Sequence, residues 1–334
     1  MNSRLAWLKP SKVFFLVDEN THEQCLLGLL QDLPNLGEYE VLEIEPGEQS
    51  KDFELASNLW AAMAELGADR DALLVNVGGG VVTDLGGFVA ATYKRGLKFW
   101  HVPTSLLGMV DAALGNKTGI DVDDIKNLAG TFSAAEAIFI YPGFLETLPE
   151  DQMRSGFAEI LKHGLIAEET HWQAALDAWQ VGEIDHIIER SAAIKLKVVD
   201  ADEREAGQRK ILNFGHTIGH AVESYFMKQD KPILHGEAVA AGMLMESWLS
   251  NRKTGLHNDD FVEITKKISS IFDKIELPET ADNEILNFAG YDKKNQGGQL
   301  KFSLLRQIGQ ATYNVDVEPA EVLEALQWYR NSIN

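Results

Sequence analysis

Three histidines dominate the chemistry open to this chain. NFGHTIGH places His216 and His220 four residues apart, which on a helix puts both rings on one face, where they can share a metal ion. LHGE supplies His235, with Leu234 before it and Gly236 after it, at the start of the next helical pattern. A lone buried histidine is more often a packing residue. Three within twenty residues, beside glycines that permit close approach, point to a metal instead. His163, His171, His186 and His257 lack such company and read as surface or packing residues. Two or three imidazoles usually recruit a carboxylate and leave one position open for substrate or water. Glu159, in SGFAEILKHG, is the best candidate: its helix face is otherwise apolar, and a carboxylate without a partner there would be costly. The competing reading is a surface ion pair with Lys162, one turn later.

The chain has 30 Lys and Arg against 51 Asp and Glu, a formal net charge of -21. Nucleic acid and anionic membranes are poor partners for that balance, so an anionic ligand must meet a local cluster of cations. Lys117, Lys126, Lys162, Lys195, Lys197 and Arg209 stand near the other motifs. GNKTGID and IKNLAG predict glycine-bearing loops presenting Lys117 and the pair Lys126 and Asn127. Each lysine singly reads as solvated. Together with Arg209, four residues before Asn213, they suggest a substrate carrying phosphate and carboxylate. Asp111, six residues before Lys117, would orient hydroxyls or a lysine.

A second constellation is glycine-rich. Gly78, Gly79 and Gly80 follow the apolar run ALLVNV and precede VVTDLGGFVAA, a predicted helix. Glycines at a strand-to-helix turn let backbone amides approach a pyrophosphate at a helix N-terminus. The spacing is not GxGxxG, since position 83 is Thr, and a tight structural turn explains the loop equally well. PGEQSK, from Pro46 to Lys51, would lie at the same carboxyl edge, either at a ligand or as an ordinary polar turn. Asp18 and Asn20, after the first strand, suit ribose hydroxyls or a helix cap.

These groups need a frame. Strand-like KVFFLV, YEVLEI, ALLVNV and KFWHVP alternate with helical patterns through about residue 145, the signature of a parallel sheet with helices on both faces. After Pro149, segments such as GEAVAAGMLMESWL and FVEITKKISSIF carry apolar residues at helical spacing, and strand-like runs become scarce. The expectation is an α/β Rossmann-like parallel-sheet domain over 1–149 and a mostly α-helical metal- and substrate-binding domain over 150–334. The single cysteine, Cys25, excludes an internal disulfide and reads as core. The N-terminus lacks signal-peptide features, and no run approaches the roughly 18 apolar residues that span a bilayer. The expected location is the cytoplasm.

GGGVVTDLGGFVAATYKRG, VPTSLLGMVDAALGNKT, IKNLAGTF, LETLP, SGFAEILKHG, ADEREAGQRKILNFGHTIGHAVE and LHGEAVAAGM resemble, in order and spacing, the 3-dehydroquinate synthase family of the shikimate pathway. The resemblance runs from about Asp18 to Ile308. It implies a lyase dependent on NAD and on zinc or cobalt, which converts 3-deoxy-D-arabino-heptulosonate 7-phosphate to 3-dehydroquinate and phosphate. It puts the metal on Glu159, His216 and His235, and makes His220 a polar residue of the active site. It puts NAD on Asp18, Asn20, the turn from Glu48 to Lys51, Gly79, Gly80, Val81, Val82, Thr83, Asp84, Thr104, Ser105, Lys117, Lys126, Phe144, Leu145, Glu146 and Thr147. Substrate residues fall on Asp111, Lys117, Lys126, Asn127, Lys162, Lys195, Arg209, Asn213, His220 and one of Lys293 and Lys294. Arg95, in YKRG, corresponds to an arginine that reaches the substrate phosphate of the neighbouring subunit, which implies a homodimer.

Three positions depart from the family pattern: Asn116 in GNKT, where GGKT is usual, Ile125 in place of the glycine before Lys126, and Asp121 in place of an asparagine. Asn tolerates the left-handed backbone that glycine supplies, so the first change is mild. The loops line the substrate, which leaves room for a related sugar-phosphate cyclase. The polyol and iron-type alcohol dehydrogenases share the two-domain plan and the histidine-based metal site, but would consume NAD stoichiometrically and need no phosphate clamp.

Overall fold

The computed structural model describes residues 1–122, 125–291 and 300–333, and divides the chain into two compact units, Met1–Pro149 and Glu150–Asn334. Lys293 and Lys294 lie outside the described residues.

In the first unit, β1 (Val13–Asp18), β2 (Tyr39–Ile44), β3 (Leu73–Gly78), β4 (Lys98–Pro103) and the short β7 (Ala137–Ile138) form a sheet of order β2-β1-β3-β4-β7 with every pairing parallel. Strands covered on both faces read as unbroken apolar runs, and every residue of β3 is buried. Alternate side chains feed two cores. Phe14, Leu16 and Leu74 pack on one face with α1 (Phe53–Glu65) and α2 (Gly80–Thr92), while Val13, Phe15, Val75 and Trp100 pack on the other.

The loops expected around Lys117, Lys126 and Asn127 are instead an antiparallel hairpin, β5 (Lys117–Val122) with β6 (Ile125–Phe132). Its glycines suggest loops in sequence, but Gly119 and Gly130 face each other across the ladder, where side chains would clash. Asn116 has φ 52°, so the position where the family pattern has glycine is left-handed here.

The second unit is built on α3 (Glu150–Ala167), α4 (Glu169–Val181), α5 (Asp185–Ala201), α6 (His216–Lys228), α7 (His235–Lys253), α8 (Asn258–Ser269), α9 (Asp282–Tyr291) and α10 (Pro319–Ser332). α7 is buried without a break from Ala238 to Ser250, the pattern of a helix packed on all sides. The scarcity of strands expected here holds only up to α9. FSLLRQIG belongs to a second antiparallel hairpin, β8 (Leu300–Gln307) with β9 (Gln310–Val317). One of its strands, with Phe302, Leu304 and Leu305 all buried, lacks the alternation that would have marked it.

Candidate active site

In the second unit, α3 carries Glu159 one turn after Ser155, with Lys162 three residues beyond. Glu159 is 0 % and Lys162 1 % exposed, and their side chains form an ion pair, so the surface-pair reading is wrong. Burying two charges carries a desolvation penalty of several kcal/mol per ion that a mutual contact rarely repays. Such a pair is therefore a candidate for function rather than a stabilising device. Ser155 ties α3 to the start of α7: its Oγ accepts the Gly236 N–H at 2.9 Å, and a Cβ on Gly236 would overlap the Ser155 carbonyl. That close approach brings His235, the first residue of α7, to the Glu159 carboxylate.

His216 opens α6 directly after Gly215, whose φ is 80°. Its Nε2 lies 3.4 Å from Glu159 Oε1, and His235 Nε2 lies 3.6 Å from the same oxygen. Tetrahedral coordination with donors at about 2.0–2.2 Å separates them by roughly 3.3 Å, so each histidine stands from Glu159 Oε1 at close to the spacing one divalent ion imposes. The other ring nitrogens hold the imidazoles in place. His216 Nδ1 donates to the Phe214 carbonyl at 3.1 Å, and His235 Nδ1 lies 3.3 Å from Glu223 Oε2 on α6. A carbonyl can only accept, so the proton of neutral His216 is on Nδ1 and its Nε2 lone pair faces Glu159.

Burial, with Lys162 nearby, holds His216 well below its ordinary value. For His235 burial pulls downward too, but the carboxylates of Glu159 and Glu223 outweigh it and push the ring up to about 10. The pocket thus favours a positive charge between His235 and Glu159. His220, one turn along α6, is exposed, with its ring centroid 5.0 Å from His216 and 5.5 Å from His235. One ring nitrogen from each of the three histidines lies within 4.8 Å of the others.

The cations of this unit sit in tighter settings than solvated lysines. Lys195 on α5 is 7 % exposed and Arg209 2 %. Arg209 Nη1 donates to the Glu203 carbonyl at 2.6 Å, and its backbone is held by Asp202, whose Oδ2 accepts the N–H groups of Gly207 and Arg209. Those amide donors, Gly207 foremost, keep the Asp202 carboxyl below its usual range. Asn213 Nδ2 donates to Glu205 Oε1 at 2.7 Å.

In the first unit, β3 ends at Gly78, Gly79 caps α2 and Gly80 begins it. A Cβ on Gly78 would overlap Val82, one on Gly79 would press on Ser105 Oγ at 3.2 Å, and one on Gly80 would make an ordinary 3.4 Å contact with Ala112. Packing therefore demands the first glycine and tolerates a side chain at the third. Thr83 turns its hydroxyl back onto the carbonyls of Gly79 and Gly80, leaving Val81 and Val82 in the first turn.

Lys51, in the turn after β2, is 3 % exposed. Its Nζ donates to Asp84 Oδ2 and Asn127 Oδ1, both at 2.6 Å. Burial works against its charge, but Asp84 and Glu48 outweigh it and hold the ammonium above the ordinary lysine value. Asp121 accepts the Asn127 N–H at 2.7 Å and donates its own N–H to the Lys51 carbonyl, while Lys126 Nζ approaches Glu48 at 3.5 Å. Lys51 thus joins Asp84 and Asn127, three residues that sequence reasoning could only treat one at a time.

Asp18 does cap a helix, accepting the Thr21 N–H at 2.8 Å, with Asn20 inside that turn. Thr104 is buried, and Ser105 Oγ caps the following helix by accepting the Gly108 N–H at 3.1 Å. Phe144, Leu145, Glu146 and Thr147 form a 3-10 turn in which only Leu145 is buried. Asp111 follows a short helix in a turn, and Arg95 is exposed at φ 71° just past α2.

Ser155, Glu223 and Glu246 were missed from sequence. Glu223 had a signal, since residues 216, 220 and 223 share one helix face. Ser155 and Glu246 had none that distinguishes them from ordinary helix residues.

Known proteins resemble this chain along most of its length. The family model described as 3-dehydroquinate synthase N-terminal matches residues 41–155, and that described as 3-dehydroquinate synthase C-terminal matches 156–295. A 3-dehydroquinate synthase from Parabacteroides distasonis is 39% identical over 332 residues, 98% of this chain and 94% of the relative. One from Desulforamulus reducens is 36% identical over 94% of this chain and 89% of its own length. Among solved structures, a 2-epi-5-epi-valiolone synthase from Streptomyces hygroscopicus with NAD+ and Zn2+ bound superposes with a TM-score of 0.85 at 26% identity, covering 96% of this chain and 91% of that one. An NADH-dependent butanol dehydrogenase from Thermotoga maritima, at 16% identity and a TM-score of 0.70 over 98% of this chain and 93% of its own, shares the fold.

Proposed function

The chain belongs to the 3-dehydroquinate synthase family, and from that premise we propose how its own residues divide the reaction. The substrate is 3-deoxy-D-arabino-heptulosonate 7-phosphate and the products are 3-dehydroquinate and phosphate, a step of the shikimate pathway. The observation that carries the assignment is the convergence of Glu159 Oε1 with the Nε2 atoms of His216 and His235 beside the buried Lys162.

Glu159, His216 and His235 would hold a divalent cation, zinc or cobalt, which when bound would supply Lewis acidity towards the substrate's oxygens. NAD supplies a hydride acceptor that is regenerated in each turnover, so no net NADH accumulates. That chemistry would acidify the C–H beside the oxidised ring carbon, so that loss of its proton could expel phosphate before the hydride is returned and the ring opens and closes by aldol addition.

The protein's part is positional and electrostatic. Lys162 sets a fixed positive charge beside Glu159, where an oxyanion develops. Lys195, Arg209 and Asn213 serve the substrate in the second unit; Arg209 suits its planar carboxylate, a group that would go unused in a cyclase acting on a neutral sugar. His220 offers an exchangeable proton at the exposed edge of the histidine cluster. In the first unit, NAD is assigned to the glycine turn and the residues around Asp18, Lys51, Thr104 and Phe144, with Asp111, Lys117, Lys126 and Asn127 serving the substrate. Arg95, exposed beyond α2, is assigned to the partner's substrate phosphate in a homodimer. Among the described residues no helix is long and apolar enough to cross a membrane, and the proposed location is the cytoplasm.

The deciding assay measures phosphate release from the heptulosonate phosphate with NAD far below substrate concentration and zinc or cobalt present. Many phosphates per NAD, abolished by chelator and restored by metal, are expected. Release that ignores the chelator, or NADH formed in step with product, would refute the proposal.

A further inference from the structure

We infer that Glu246 is a positioning residue for the metal site, fixing α6 against α7 and so the spacing of His216 and His235. This rests on the assignment of Glu159, His216 and His235 as metal ligands. The first turn of a helix leaves N–H groups with no partner inside the helix, and a side chain at the N-cap usually takes one. The N-cap of α6 is Gly215, which has no side chain to offer. Glu246, from the middle of α7 and 0 % exposed, does this instead: its Oε2 accepts the Gly215 N–H at 2.7 Å and its Oε1 the Ile218 N–H at 3.0 Å. A carboxylate is also the favoured charge at the positive end of a helix dipole. His216 lies between the two amides so held.

His235 is the first residue of α7, and Glu246 follows eleven residues later, about three turns along the same face. One helix therefore carries one ligand and grips the start of the helix that carries the other. The grip is close. A Cβ on Gly242, one turn before Glu246, would overlap the Gly215 carbonyl, and one on Gly215 would strike Met243. With the helices in backbone contact, a change at the Gly215 turn has no slack to absorb it before it reaches His216.

The test compares the wild type with Glu246→Gln and Glu246→Asp by cobalt titration of metal-free protein, following the visible absorption of the bound ion in competition with a chelator. Gln can present only one accepting oxygen and turns an NH2 group towards the second amide. Asp keeps the charge on a shorter arm. The expected result for Gln is cobalt binding weakened roughly 10–100-fold, the range for outer-sphere partners of metal ligands, with an altered cobalt spectrum and unchanged NAD affinity. Asp should recover part of the loss, and it carries the test if Gln does not fold. If a variant melts earlier yet binds cobalt with wild-type affinity and spectrum, Glu246 is a structural cap only and the inference falls. If the wild type itself binds no cobalt, the ligand assignment fails instead.

Discussion

In the first unit the groups placed at the strand ends are largely backbone: the amides of the Gly78–Gly80 turn, the Thr104 segment and the 3-10 turn at Phe144. In the second unit they are charged side chains sunk into helices: Glu159, Lys162, Arg209, Glu223 and Glu246 are each at most 5 % exposed. The first arrangement needs little more than glycine and a helix start. The second must offset desolvation at every charge, so each is held by a named partner. Among the described residues of the first unit Lys51 departs from this, a buried ammonium bonded to Asp84 and Asn127.

The contrast can be broken first at Lys162. Lys162→Met leaves Glu159 buried without its ion-pair partner and should cost about 3–5 kcal/mol of stability. Added zinc should return part of it, as read by denaturant unfolding of the metal-free and metal-loaded protein. Stability equal to wild type would mean that the pair is not held as tightly as its burial implies.

Acid should act on both units through buried neutral histidines. Burial pushes His101 on β4 down to about 3 and His171 on α4 down to about 4, from an ordinary 6.5. The unfolded chain therefore takes up protons first as the pH falls. This stabilisation is complete above about pH 6.5, and it drains away towards pH 4 and below, by something of order 3 kcal/mol per group. Urea midpoints measured between pH 7 and pH 4 should fall, and His171→Gln should flatten part of that slope. An unchanged slope in the variant would clear His171 of the effect.

The smallest effects separate the two uses of the glycine turn. Gly78→Ala meets Val82 and should destabilise by about 1–3 kcal/mol. Gly80→Ala has room, so its stability should stay near wild type while NAD affinity falls, because the added methyl stands where a pyrophosphate would approach. Calorimetric NAD titration checks this, and unchanged affinity in Gly80→Ala would leave the turn purely structural.

The parallel sheet was legible because β1, β3 and β4 are largely apolar runs, interrupted inside by Asn76 and His101, between helical patterns. The antiparallel hairpins were not: β5 and β6 are punctuated by glycines that serve cross-strand contact, and β8 is buried without alternation. Spacing of four residues exposed the histidine pair, and an apolar helix face exposed Glu159. What spacing could not show is contact between segments distant in sequence. Glu246 meets Gly215 across 31 residues, and Lys51 meets Asn127 across 76. The same limit hid that Lys51 joins Asp84 and Asn127, residues that spacing alone could only treat one at a time. Asn116 shows the opposite case: it stands where the family pattern has glycine, tolerates a left-handed backbone, and adopts one.

The central claim is that the helical unit holds a metal on Glu159, His216 and His235. It is tested most directly by counting metal bound per chain in the wild type and in His235→Ala, with circular dichroism to establish that both are folded. About one zinc or cobalt per wild-type chain and almost none in the folded variant, with phosphate release lost well beyond the roughly 10–100-fold typical of outer-sphere changes, is the predicted result. A folded His235→Ala protein that retains a full equivalent of metal and turns over normally would contradict it.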